Sequence, residues 1–173
     1  MLERLDVVDG ALPGEVLSEV SALYASNREF FELSGDFPDP ARITVEDVAR
    51  ALAEELAPPG AEVLLARSEG RLVALAATLA HHPSGEDPDP WIGLLLVDAG
   101  AHRRGYGRRV AELVEDEFRR AGRTAVRLAV LDANARGLAF WTALGYRRLR
   151  EGRDRERGRP CTVLRKELGA AGA

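Results

Sequence analysis

Cysteine is almost missing from this chain: Cys161 stands alone, which excludes an internal disulfide and any metal cage built from several thiolates. Its thiol reads as a small, partly buried hydrophobe. Aromatic residues are scarce, at 6%, and lysine is confined to Lys166. The basic stretches therefore lack the interleaved rings on which single-stranded nucleic acid stacks. Long apolar runs are missing too, since none approaches the roughly 18 residues of a membrane span. The first twenty residues, MLERLDVVDGALPGEVLSEV, place acids where a secretory signal needs a basic start and an apolar centre. These shortfalls set the expectation of a cytoplasmic protein with no membrane and no nucleic-acid partner.

What is present is the balance of an ordinary folded protein. Hydrophobic residues make up 46% and charged residues 30% of 173 positions, and the length suits a single domain over 1–173 with a sizeable core. The net charge of −4 conceals a split. Residues 1–99 hold 6 Arg and no Lys against 19 acids, a balance of −13, whereas residues 100–173 hold 17 Arg and one Lys against 9 acids, a balance of +9. Such asymmetry suits a C-terminal half that handles an anion and an N-terminal half that either attracts a cation or simply faces water.

Along the chain, residues 2–8 read as a short strand. Pro13 fits the first turn of a helix whose apolar positions Val16, Leu17, Val20, Leu23 and Tyr24 keep helical period, and which should run to about Leu33. Thr44 caps a second helix, with Asp47 three residues on and Val48, Leu52 and Leu56 as its stripe. The period then changes. Residues 62–67 and 71–80 form a hairpin, and Trp91–Val97 (WIGLLLV) is apolar on both faces, which predicts a strand buried on both sides of a sheet. A helix over 108–121 stops at Gly122, a strand covers 125–131, and a helix runs from Asn134 to Leu144. Two strands, about 146–151 and 160–168, flank a charged turn over 152–159.

The segment after Val97 carries the chemistry. A strand that runs into a Gly-rich turn and then a helix gathers backbone N–H groups without helical partners around one point, which attracts phosphate. Gly105 and Gly107 let the backbone approach the anion, while Arg103, Arg104, Arg108 and Arg109 raise the local positive potential. The turn lacks the third glycine of the dinucleotide fingerprint and the Gly-Lys-Ser/Thr of the P-loop, which disfavours NAD or ATP.

LLLVDAGAHRRGYGRRVAELVEDEF is similar to the pyrophosphate-binding motif of the GNAT superfamily of N-acetyltransferases, whose turn reads Gln/Arg-x-x-Gly-x-Gly/Ala. Here His102 takes the first position, followed by Arg103, Arg104, Gly105, Tyr106 and Gly107. A second block, LDANARGLAFWTALGYRRL, resembles the family's Asn-x-x-Ala stretch, with Asn134, Trp141, Gly145 and Tyr146 at its landmarks and Gly137 where alanine is usual. The resemblance covers about residues 60–168. It implies an α/β fold with a mixed, mostly antiparallel twisted sheet, splayed centrally and flanked by helices, and an acetyl-CoA-binding core at about 91–146 with a C-terminal hairpin at about 146–168. It further implies that acetyl-CoA, as co-substrate, meets Leu95, Leu96 and Val97 on the strand, His102 through Gly107 and Arg108 on the turn, and Asn134 and Trp141 beyond. In particular, the Leu95 N–H would meet the thioester carbonyl, Val97 would pair with the pantetheine arm, and the amides of Arg103, Gly105, Gly107 and Arg108 would hold the pyrophosphate. Asn134 also reads as a helix cap, and the two roles are compatible.

Acetyl transfer to an amine needs a neutral amine, a polarised carbonyl and a stabilised leaving thiolate. Family members with a glutamate base early in the central strand carry it where this chain has Trp91, and the tyrosine that serves others as general acid is here Trp141, which only donates an N–H. His81 and His82, then Glu86, Asp87 and Asp89 in the next loop, remain as titratable candidates, each acting through water or merely solvated. His82 is the expected water-mediated base. Asp98 reads as a strand end. Tyr24 and Asn27 either line the acceptor pocket or belong to the core, and the 152–159 turn either closes over the acceptor or is a solvated hairpin.

Without a strong base, positioning still supplies about 7–11 kcal/mol against about 3–5 kcal/mol from proton transfer. Amines of low pKa then gain, because at pH 7 roughly one alkyl amine in two thousand is neutral against about one α-amino group in six. The expectation is an acetyl-CoA-dependent N-acetyltransferase acting on the primary amine of a small molecule or peptide, with a homodimer as the family's precedent. A catalytically silent acyl-CoA-binding module is the alternative that the two tryptophans leave open.

Overall fold

Two helices stand where the sequence predicts one. In the computed structural model, which describes residues 2–4, 12–82, 85, 87–155 and 157–169, α1 (Gly14–Ser26) and α2 (Arg28–Ser34) are parted at Asn27. The cause is tertiary: Asn27 Nδ2 donates to Leu23 O at 2.9 Å and to Val97 O at 3.0 Å, so the backbone turns where the side chain is held. Strand β1 (Leu2–Arg4) is the described part of the predicted first strand, the rest of which lies outside the described residues. Helix α3 (Val45–Leu56) opens on the capping box legible in the sequence, with Asp47 N donating to Thr44 Oγ1 at 3.1 Å and Thr44 N to Asp47 Oδ2 at 3.0 Å.

The remaining elements follow the sequence closely: β2 (Ala61–Ser68), β3 (Arg71–Leu79), β4 (Trp91–Val97), α4 (Tyr106–Arg120), β5 (Ala125–Leu131), α5 (Ala135–Ala143), β6 (Arg147–Arg153) and β7 (Pro160–Glu167). Helix α4 starts two residues earlier than predicted because Gly105, at φ +83°, turns the chain directly into it. The strands form one mixed seven-stranded sheet in the order β1-β2-β3-β4-β5-β7-β6, antiparallel throughout except between β4 and β5.

Helices α1–α3 cover one face, where Val20, Leu23, Phe31, Val48 and Leu52 meet Val63, Leu65, Leu75 and Leu96. Helices α4 and α5 cover the other, where Val110, Val114 and Trp141 meet Val73, Ile92, Val126, Leu128 and Leu164. Each such side chain contributes about 1.5–3 kcal/mol on leaving water. Strand β4 is less enclosed than its apolar run predicts: Gly93 is exposed, and Leu94, Leu95 and Val97 are half-buried. The reason is that its neighbour on one side departs after two residues.

Candidate active site

That departure builds the site. On one edge β4 pairs with β3 from Ala74↔Val97 to Ala77↔Leu94, after which the next pair is Thr78↔Ile92, leaving Gly93 as the extra residue of a bulge. On the other edge β4 meets β5 only at Trp91↔Arg127 and Ile92↔Leu128. Beyond Ile92 the two strands diverge, and the amide direction on β4 follows from the ladder. Asp98 N donates to Val73 O at 2.9 Å, so, alternating back along an antiparallel pair, Leu96 and Leu94 bond to β3 while Leu95 and Val97 turn their N–H and C=O toward the gap. The Val97 carbonyl agrees, accepting from Asn27 Nδ2 at 3.0 Å and from His102 Nε2 at 2.9 Å. A carbonyl only accepts, so His102 carries its proton on Nε2. Leu96, by contrast, bonds to β3 and buries its side chain under α1–α3, so it does not reach the gap.

At the end of β4 the chain forms a cradle of backbone N–H groups. Asp98 closes the strand, accepting from Gly100 N at 2.8 Å and pairing with Arg71 at 3.2 Å, which is a structural role. Arg103 takes φ +60° and Gly105 φ +83°, and alternation of this kind turns successive N–H groups toward one point. The N–H groups of Tyr106, Gly107 and Arg108 precede the first helical bond, Arg109 N to Gly105 O at 3.0 Å, and no acid occupies the first turn of α4. Among the described residues, the exposed Arg103, Arg104 and Arg108 make no ion pair. The two glycines differ in what they supply. Gly105 supplies its positive φ, whereas a Cβ on Gly107 would meet Phe140 at 3.2 Å and Val97 Cγ2 at 3.6 Å, so its smallness serves the packing of α4 against α5.

The second block lies beneath this cradle. Asn134 Oδ1 accepts from Gly137 N at 2.8 Å and caps α5. Trp141 is 8% exposed, its ring edge-on to Phe140 and Tyr146 with centroids 4.9 and 5.0 Å away. Tyr146 OH donates to Glu115 Oε1 at 3.1 Å, and Lys166 Nζ reaches both Glu115 oxygens at 2.9 and 2.7 Å. Burial first, and then the Glu115 charge, push the Tyr146 phenol well above its usual range. Sequence reasoning missed Glu115; the signal was an acid four residues after Ala111 on the apolar face of α4.

The titratable candidates are scattered. His82 packs against Trp91 with ring centroids 4.9 Å apart and planes tilted by 45°, and burial, then the positive charges of Arg155, Arg150 and Arg127 against the pull of Asp87, hold its imidazole below the usual value. His81 sits apart, 3.2 Å from Arg123. Asp87 accepts from Trp91 Nε1 at 2.8 Å and pairs with Arg127 at 3.0 Å, while Asp89 binds Arg127 and Arg165 at 2.8 and 2.7 Å. Burial alone would raise the Asp89 carboxyl, but these two guanidinium groups outweigh it and hold it low, so Asp89 is not a ready base. Glu86 lies outside the described residues. Tyr24 is buried in a stack with Phe31 at 5.3 Å, and Asn27 is a brace on β4. The 152–159 turn reaches α2: Arg159 bonds the Ser34 carbonyl and the Asp36 carboxylate, and Arg157 the Gly35 and Asp36 carbonyls. Cys161 is buried, and burial pushes its thiol up.

Comparison with known proteins bears on this geometry. The family model "Acetyltransferase (GNAT) family" matches residues 21–146. An acetyltransferase from Thermus thermophilus superposes with a TM-score of 0.75 at 22% identity, over 96% of this chain and 97% of that one. The ribosomal-protein-S18-alanine N-acetyltransferase from Escherichia coli gives 0.67 at 17% identity, over 99% and 96%. An aminoglycoside 6'-N-acetyltransferase complexed with coenzyme A gives 0.68 at 14% identity, over 100% and 99%. No curated protein sequence matches. The chain belongs to the GNAT acetyltransferase family.

Proposed function

We propose, with that family as the premise, that the chain transfers the acetyl group of acetyl-CoA to the primary amine of a small molecule or peptide. The observation that carries this reading is the gap between β4 and β5, with the Leu95 N–H turned into it and the cradle at the start of α4 at its end. These residues fit acetyl-CoA: a strand edge for an amide-bearing arm leads to amides and guanidinium groups for a pyrophosphate. A solved relative in the fold comparison was complexed with coenzyme A, which supports the same ligand. Acetyl-CoA supplies an activated thioester.

The chain's own groups do the rest. The Leu95 N–H is the donor for the thioester carbonyl oxygen, where charge develops. Val97 offers its N–H to the arm, its carbonyl being held by Asn27 and His102. The amides of Arg103, Gly105, Gly107 and Arg108 hold the pyrophosphate, with the Arg104 guanidinium and Tyr106 beside them. Asn134 and Trp141 support this surface from α5. His82 lies near the start of β4, about 13 Å along the strand from Leu95, and reaches the amine only through water.

Calorimetry with acetyl-CoA, followed by thiol release over primary amines with pKa of about 7.5 to 10.5, tests the reading. Binding together with release for at least one amine is the expected outcome. Binding without release for any amine or peptide N-terminus would favour the silent acyl-CoA-binding module instead.

A further inference from the structure

The middle of β4 holds a position without a side chain, and another element fills it. Gly93, the extra residue of the bulge, is exposed where β4 and β5 begin to part. A Cβ built there would lie 3.5 Å from Glu55 Oε2 and 3.8 Å from Ala77 O. Glu55 belongs to the last turn of α3, beside Leu56, which packs toward the sheet, and is itself half-buried. A helix thus brings a carboxylate to the spot that a strand side chain would otherwise occupy. The same carboxylate also acts on the Tyr24 phenol of α1, which is held high by burial and, next, by the Glu55 and Asp36 charges.

We propose that Glu55 accepts the proton of the acceptor ammonium, supplying from α3 the carboxylate that Trp91 does not supply from β4. This rests on the acetyltransferase reading above. Gly93 is two residues, or about 7 Å of strand, from the Leu95 N–H, against about 13 Å for the Trp91 and His82 pair, so an amine nitrogen with at most one water fits between. The ammonium gives one proton to Glu55, and the freed nitrogen lone pair forms the C–N bond to the acetyl carbon. The C–S bond breaks with its electron pair on sulfur, and the second nitrogen proton ends on that sulfur as the thiol. Glu55 returns its proton to solvent. The acceptor class then widens to alkyl amines that arrive as cations, because the preference for low-pKa amines follows only where no base is present.

The experiment compares two nucleophiles in wild type, Glu55→Gln and His82→Ala: putrescine, which must lose a proton, and hydroxylamine, which is already neutral at pH 7. Glu55→Gln should lower kcat/KM for putrescine by about 10²- to 10⁴-fold and for hydroxylamine by no more than about threefold, with acetyl-CoA affinity by calorimetry unchanged. His82→Ala should change that ratio far less than Glu55→Gln does, and a larger change than that of Glu55→Gln overturns the assignment to Glu55. Equal losses with both nucleophiles, or no loss with either, overturn the assignment. If the glutamine variant folds poorly, Glu55→Asp decides: the carboxylate kept one methylene back should retain part of the putrescine activity, and losing both activities together overturns the role. Wild-type protein inert toward both nucleophiles and the wider amine panel would instead remove the acetyltransferase reading, and this role with it.

Discussion

The two sides of the β4–β5 gap differ in what their interiors hold, aromatic rings on one side and a buried carboxylate on the other. On the N-terminal side, α1–α3 pack on β2–β4 through apolar and aromatic contacts, with Tyr24, Phe31 and Phe37 rings 4.8 to 6.0 Å apart. On the C-terminal side the apolar core under α4 and α5 includes an ionic group, in which the buried Glu115 gathers Lys166, Tyr146 and Arg119, and Asp154 holds Arg159 at the margin. Across the seam the backbone offers only the two pairs of β4 with β5, and the crossing is reinforced by the Asp87 and Asp89 pairs with Arg127 and Arg165 and by the clasp of the 152–159 turn on α2. These crossings set acids of the N-terminal half against arginines of the C-terminal half, so the opposed charges of the two sequence halves meet in one fold at the margins of the open strand edge.

The contrast can be broken from each side. Phe31→Ala should have the largest effect, about 3–5 kcal/mol, because the ring is 2% exposed and its loss leaves a cavity among aromatics; urea unfolding should show a cost that barely changes with salt. Asp89→Asn should cost about 2 kcal/mol at pH 7 by leaving Arg127 and Arg165 without their shared carboxylate. Its pH dependence has a definite sign. The folded carboxyl is held below its unfolded value near 3.9, so its contribution is fully present above that value and is lost as pH falls through the folded pKa. Wild-type and variant unfolding midpoints should therefore differ at pH 7, begin to approach each other only below about pH 4, and converge below the folded pKa. Gly105→Ala should have the smallest effect on stability, about 1–2 kcal/mol, from forcing a Cβ into φ +83°, but should weaken acetyl-CoA binding by about tenfold in calorimetry because the strained turn carries the cradle amides.

Much of the fold was legible because its signals are local. The Thr44 and Asp47 box, the change to strand period after Gly60, and the bounds of β4 and β5 all depend on residues within a turn or a strand of one another. The cradle was equally legible, since strand, glycine turn and helix are consecutive. Asn27 was not. Nothing near it in sequence marks a helix break, because its partner is the carbonyl of Val97, 70 positions on. Gly107 has a packing role that the turn alone does not show, because Phe140, which lies against its open side, arrives from α5.

By itself the sequence determined the order of elements and the placement of a glycine turn after the central strand, since these follow from period and glycine at each position, while its resemblance to the family marked Trp91 and Trp141 as places where other members carry a carboxylate and a phenol. Only the tertiary structure decided that β4 and β5 part after two pairs, that Leu95 rather than Leu96 faces the gap, and that Glu55 stands against Gly93. Each of these depends on register or on a contact between distant segments. A one-residue change in register turns every amide and side chain to the opposite side without altering the local pattern from which the strand was read.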